Sequence, residues 1–259
     1  MLSSAHALKG FTIHGTDGEI GKVKDFYFDD HFWTVRYLVV ETGDWLSDRR
    51  VLLSPYALKS VDTQKKYISV HLTKKQIENS PSHDRDKPVS RQFEEAHYVY
   101  YGWPVYWYGG FNWGGTPDML PHLGAPAKNA KGGKALDAHL RSAEDLFGHH
   151  VVASDGEIGH VADLILDDRT WTIRYLVIDT RDWWPGKKVL ISPQWIGEIS
   201  WAQQAVTVTH TRGVIKKAPE YTKESLLTRN FEAALHMHYG LPGYWEALAE
   251  SVQMDRARK

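Results

Sequence analysis

The chain has 259 residues, 42% hydrophobic and 24% charged, with a formal net charge of −1 and an isoelectric point near 6.9. That balance excludes a general nucleic-acid surface, which needs concentrated positive charge, and the absence of cysteine excludes disulfides, thiolate catalysis and cysteine-ligated metal or iron–sulfur sites. No stretch reaches the ~20 apolar residues of a spanning helix, and the first residues carry no charged segment before a long apolar run, so the expectation is a soluble, cytoplasmic protein.

In chain order, Phe11-Thr12-Ile13 is short and β-prone, and Thr16-Asp17-Gly18-Glu19 is a turn in which Asp-Gly supplies the backbone freedom of a hairpin. Val23, Asp25 and Tyr27 alternate with Lys24, Phe26 and Phe28, the pattern of a strand with one more apolar face. Asp29-Asp30-His31 makes a second turn. Thr34 to Glu41 is β-branched and aromatic and carries the run Leu38-Val39-Val40, which suits a strand buried on both sides. Val51-Leu52-Leu53 is a short strand stopped by Ser54-Pro55. Val61 to Gln64 and Tyr67 to Val70 close the series. Short strands at roughly 8–12-residue spacing predict a small barrel or sandwich. Thr73 to Asn79 reads as a helical turn before Pro81, and Ser82 to Lys87 as a polar connector. Ser90 then caps a helix over Arg91 to Tyr101, with Phe93, Ala96, His97 and Tyr100 on one face and Gly102 and Pro104 as the stop.

All of this recurs. Residues 8–108 return at 146–246 without a net insertion, at a constant offset of 138. Asp17-Gly18-Glu19-Ile20-Gly21 returns as Asp155-Gly156-Glu157-Ile158-Gly159, and Trp33 to Val40 as Trp171 to Ile178. The tail Tyr101-Gly102-x-Pro104-x-Tyr106-Trp107 returns as Tyr239-Gly240-x-Pro242-x-Tyr244-Trp245. An offset of this length is the size of a domain. The expected organisation is a first copy with its helix and aromatic tail over 1–108, a Gly/Pro/Lys-rich linker over 109–145, and a second copy over 146–259. Ala135 to Phe147 is expected to add a helical turn leading into the second copy.

Candidate sites are few. Asp17-Gly18 and Asp155-Gly156 read as structural turns, because no second carboxylate or nucleophile is placed beside them. The Asp-rich turns at 29–30 and 167–168 fit no calcium loop. His236-x-His238 points its two rings apart on a helix, so it does not chelate, and no metal site is expected. Arg36 and Arg174 lie inside apolar strands and need partners; an internal salt bridge to a same-parity acid of the strand or to the Asp-rich turn is expected. The chain holds 11 Trp and 13 Tyr, concentrated in 98–113. Trp103, Tyr106, Trp107, Trp113, Tyr244 and Trp245, with the loop residues Trp45, Trp183 and Trp184, are the candidate interface or ligand surface. They pack on their own barrel or the other copy, anchor a partner, or stack on a sugar or quinone ring.

Gly10-x-x-Ile13 with Asp17-Gly18-Glu19-Ile20-Gly21-x-Val23-x-Asp25 and Asp29-Asp30, then Trp33-x-Val35-Arg36-Tyr37-Leu38-Val39-Val40 and Val51 to Pro55, resembles the PRC-barrel domain. That small β-barrel is shared by the cytoplasmic domain of the photosynthetic reaction-centre H subunit and the C-terminal half of a bacterial ribosome-maturation factor. The Arg-x-Phe-Glu and Tyr-Gly-x-Pro-x-Tyr-Trp tails resemble its stand-alone bacterial members. The resemblance covers about 8–80 and 146–218 and implies a mainly β protein with short helices: two tandem small PRC-type barrels, each followed by a helix and aromatic tail. It implies an adaptor, not an enzyme, with no cofactor. The H subunit's membrane helix and the maturation factor's RNA-handling domain are absent here, so neither specific role carries over. The expected function is a non-catalytic protein-interaction adaptor, working through a protein partner or self-association, with peripheral association to a membrane complex open. The alternative is a ligand-binding or photosynthetic, electron-transport-associated accessory protein with an aromatic groove between the copies.

Overall fold

The structure, a computed structural model, describes residues 1–47, 49–83, 89–107, 140–180, 187–222 and 228–246. The first copy comprises β1 (Leu2–Ser4), α1 (Ala5–Leu8), β2 (Thr12–Gly15), β3 (Gly18–Asp29), β4 (Thr34–Glu41), β5 (Arg50–Leu53), β6 (Leu58–Asp62), β7 (Tyr67–Val70), α2 (Lys74–Glu78) and α3 (Arg91–Tyr101). The second comprises β8 (Leu140–Ser142), α4 (Ala143–Leu146), β9 (His150–Ala153), β10 (Gly156–Asp167), β11 (Thr172–Asp179), β12 (Lys188–Ile191), β13 (Ile196–Ser200), β14 (Ala205–Val208), α5 (Arg212–Lys217) and α6 (Arg229–Tyr239). Element for element the offset of the sequence repeat is kept, so the fold is mainly β with short helices, built twice.

Two compact units result. The first consists of Ala7–Ala143 with Asp168–Thr172, the second of Met1–His6, Glu144–Asp167 and Ile173–Lys259. In the first, the strand order is β6-β7-β2-β3-β4-β5, antiparallel except for the parallel pair β2–β7. In the second it is β13-β14-β9-β10-β11-β12, with β14–β9 parallel. The unit boundaries do not follow the repeat boundaries: Asp168–Thr172 belongs to the first unit and Met1–His6 to the second. β8, expected in the linker, pairs with β3 of the first unit, and β1 pairs with β10 of the second. Residues 107 and 140, which flank 108–139, thus belong to one unit. A strand's partner follows from edge geometry and not from its neighbours in sequence, which is why the repeat alone places these segments wrongly.

The Asp-Gly-Glu-Ile-Gly motif is scaffold. Gly18 turns the β2–β3 hairpin at φ +135°, a conformation that favours glycine. At Gly21 a Cβ would meet the Glu41 carbonyl oxygen at 2.1 Å, so only glycine lets β3 and β4 approach. Gly159 meets Asp179 in the same way at 2.0 Å. Asp17 accepts from the Lys74 amide at 2.9 Å and Asp155 from the Arg212 amide at 2.7 Å, so each hairpin turn holds the start of the following short helix. β4 is buried from Thr34 to Val40. β3 is bulged between Val23 and Asp25. The bulge shifts its inward face from Val23 to Phe26 and Phe28, which breaks the simple alternation read from the sequence.

The terminal helices differ from expectation in their inward face. Ser90 caps α3 through the Phe93 amide and Gly102 closes it at φ +69°. The buried residues, however, are Glu94, His97 and Tyr98, while Tyr100 is exposed. In α6 they are Glu232, Leu235, His236 and Tyr239. A periodicity count that scores glutamate as a surface residue misses a face centred on a buried carboxylate.

Candidate functional site

Each unit carries the same seat, where β4 or β11 meets the terminal helix and its aromatic tail. In the first, Arg36 leaves the buried strand β4 and reaches Asp29 at 3.4 Å. Its guanidinium lies 4.0 Å from the centroid of the Tyr106 ring, a cation–π contact in a desolvated setting. One helical turn into α3, the Glu94 carboxylate accepts from the Tyr106 hydroxyl at 2.5 Å and the Tyr37 hydroxyl at 3.2 Å. It also pairs with Arg91 at 2.8 Å. Arg91 in turn covers the Trp107 ring at 4.4 Å. Barrel, helix and tail are thus joined by two cations, two anions and three aromatic rings. Tyr37, Val39, Leu52, Val89, Tyr98 and Tyr106 form the apolar floor, with Trp103 and Trp107 packed against it.

The second unit repeats the arrangement. Arg174 pairs with Asp167 at 3.2 Å and covers Tyr244 at 3.9 Å. Glu232 accepts from Tyr175 at 2.9 Å and Tyr244 at 2.8 Å and pairs with Arg229 at 3.2 Å. Arg229 covers Trp245 at 4.1 Å. The Arg-x-x-Glu at the start of each terminal helix and the Tyr-Trp of each tail are therefore one device. Buried charges of this kind persist only when paired and hydrogen-bonded.

Burial tunes the titratable groups of the seat. It pushes the Glu94 carboxyl up, against the opposing pull of Arg91. Burial and the nearby Glu94 raise the Tyr37 and Tyr106 hydroxyls well above their ordinary range. Burial lowers His97 to about 4, and its Nε2 donates to the Leu52 carbonyl at 3.0 Å. The second unit has Leu235 at that position and places its histidine one residue later. There His236, also lowered by burial, sits 3.0 Å from the Tyr175 hydroxyl and donates through Nδ1 to the Pro242 carbonyl at 2.9 Å.

One tryptophan is kept in space but not in sequence between the units. Trp103 stacks on Tyr101 at 4.3 Å in the first. In the second, position 241 is Leu, and the matching Tyr239 is covered by Trp195 at 4.2 Å, from the 3-10 turn where the first unit has Ala57. Both solutions fill the space beneath the helix end, as close packing demands.

The remaining sequence candidates fall as follows. Trp45 is half-buried, its Nε1 donating to the Ile20 carbonyl at 2.5 Å and its ring under Lys74. Asp17, Gly18, Asp155 and Gly156 are in the hairpin turns described above. Asp29 accepts from the amides of His31 and Phe32, which explains the acid in that turn. Trp113, Trp183 and Trp184 lie outside the described residues. Among the described residues no group of three His, Asp or Glu side chains is arranged to hold a metal ion.

Sequence reading missed the most exposed apolar side chains among the described residues. Val99 of α3 and Met237 of α6 are 78% and 81% exposed and occupy equivalent positions of the repeat. Tyr100 and Leu241 beside them are exposed as well. The signal was available in principle: once Glu94 and Glu232 are put on the inward face, these residues fall on the outward one.

The family model for the PRC-barrel domain matches residues 2–77 and 139–215. No curated protein matches the chain.

Proposed function

The chain belongs to the PRC-barrel domain family, and from that premise we propose that it is a non-catalytic protein-interaction adaptor with two equivalent contact faces. The observation that carries this reading is the pair Val99 and Met237, large apolar side chains held in water at the same position of two terminal helices. The seat beneath them supports it. Arg36, Arg91, Glu94 and their counterparts are engaged in holding helix and tail on the barrel, which makes each helix a rigid presenter of its outer face. A rigidly held helix favours association because little backbone freedom is lost on binding. The tail aromatics support the ligand-groove alternative less well, since Tyr101, Trp103, Tyr106 and Trp107 lie against one another and their own barrel. A cytoplasmic setting and peripheral attachment to a membrane complex belong to the same proposal; among the described residues no helix is long and apolar enough to cross a membrane.

The test is affinity capture from the native cell with the full chain and with the Val99→Glu, Met237→Glu double variant. Both changes are at the surface and leave stability within about 0.5 kcal/mol. The expected result is loss of the partners captured by the parent chain. An unchanged partner set would overturn the proposal.

A further inference from the structure

The leading segment of each copy has the same pattern, Leu2-Ser3-Ser4-Ala5-x-x-Leu8 and Leu140-Arg141-Ser142-Ala143-x-x-Leu146. The family match counts each as the start of its own repeat, at residues 2 and 139. The structure seats each on the other repeat. Leu2, Ser3 and Ser4 pair with Asp167, Leu166 and Ile165 of β10. Leu140, Arg141 and Ser142 pair with Asp29, Phe28 and Tyr27 of β3. Both anchor on the same repeat position. Ser142 Oγ donates to Asp25 at 2.6 Å, and Ser4 Oγ donates to Asp163. Asp163 also accepts from the His6 amide and faces the His6 ring, each at 3.1 Å, and that ring stacks on Phe147 at 4.6 Å. Each carboxylate is held by the amide that follows it, Phe26 at 2.8 Å and Leu164 at 2.7 Å, so the acceptors are alike and fixed by their own strands.

We propose that the strand Leu2–Ser4 is a docking strand, and that a second copy of this chain supplies it in trans to β10, on the acceptor position that β3 offers to Leu140–Ser142. Nothing in an acceptor distinguishes a strand of its own chain from the identical strand of another. Exchange between chains therefore reproduces every contact made within one, the condition under which segment swapping is inexpensive. The partner is a second copy because that copy carries the same Leu-x-Ser-Ala strand, already matched to Asp163. This interaction is independent of the helix faces invoked above.

Complementation tests it. One full chain lacks only residues 1–6, leaving the β10 acceptor without its strand. The other carries Asp163→Ala, which loosens the home site of its own leading strand. Each alone is expected to run as a monomer by light scattering, and the mixture as a one-to-one pair of twice the mass. Removing residues 1–6 from the second chain as well should abolish the pair, and adding Val99→Glu with Met237→Glu to both should leave it intact. Absence of a pair on mixing, or a pair that survives loss of both leading strands, overturns the proposal. Where the shortened chain does not fold alone, unaltered chain is warmed to just below its unfolding midpoint at high concentration, half of it labelled with heavy isotopes. Native mass spectrometry should then show mixed dimers, and monomer alone would contradict the exchange.

Discussion

Glu94→Ala is expected to lower the unfolding free energy by about 3–5 kcal/mol, the range for removing one partner from a buried, hydrogen-bonded charge pair. Glu94 is 2% exposed. Its removal takes the acceptor from the Tyr37 and Tyr106 hydroxyls and the carboxylate from Arg91, and each buried donor that loses its acceptor costs about 1–3 kcal/mol. Glu94→Gln should cost less, about 1–3 kcal/mol, because an amide oxygen still accepts from a tyrosine but no longer balances the guanidinium. Glu232→Ala makes the matching test in the second unit, where Tyr175, Tyr244 and Arg229 lose their common partner. Denaturant unfolding at neutral pH reads all three. A loss below about 1 kcal/mol for the alanine variants would class the seat with ordinary surface ion pairs and remove the reason for calling the helices rigid presenters.

Acidification from pH 6.5 towards 4 is expected to remove up to about 3 kcal/mol of stability through His97 alone. Burial lowers its folded pKa to about 4 from 6.5. Between those values the unfolded chain binds the proton and the folded chain does not, so stability is full above pH 6.5 and falls as pH drops through this window. Glu94 acts in the opposite sense: its carboxyl, raised by burial, takes up a proton more readily in the folded state. His97→Leu copies Leu235 of the second unit and isolates the histidine. The variant should lose less stability than the parent between pH 7 and pH 4.5 in paired unfolding curves. His236 retains its own dependence in the same direction. Equal losses in parent and variant would contradict the buried neutral imidazole.

Most of the barrel was legible because its signals are local. The apolar run of β4, the Asp-Gly turns, the Ser-Pro stop after β5 and the Ser90 cap are short-range instructions that tertiary contacts did not override. The same holds for Arg36 and Arg174, where one arginine in a buried strand demands a partner and the nearby turn supplies Asp29 or Asp167. What escaped reading is non-local or runs against residue type. Glu94 and Glu232 look like surface residues until a tyrosine of the barrel and a tyrosine of the tail converge on each. The bulge at Val23 and Asp25 reverses a strand's faces with no glycine or proline to announce it. The leading strands were invisible as strands because three residues carry no periodicity, and their pairing with the other repeat was invisible because a ladder partner is chosen in space.

The central claim, that the outer faces of the terminal helices are where this protein meets other proteins, is tested most directly by photo-cross-linking in the native cell. A photoreactive amino acid replaces Met237 in one full-length variant and Lys59, an exposed residue of β6, in another. Irradiation should join the chain to discrete protein partners from position 237 and not from position 59. Adducts of the same identity and yield from both positions, or none from 237, would contradict it.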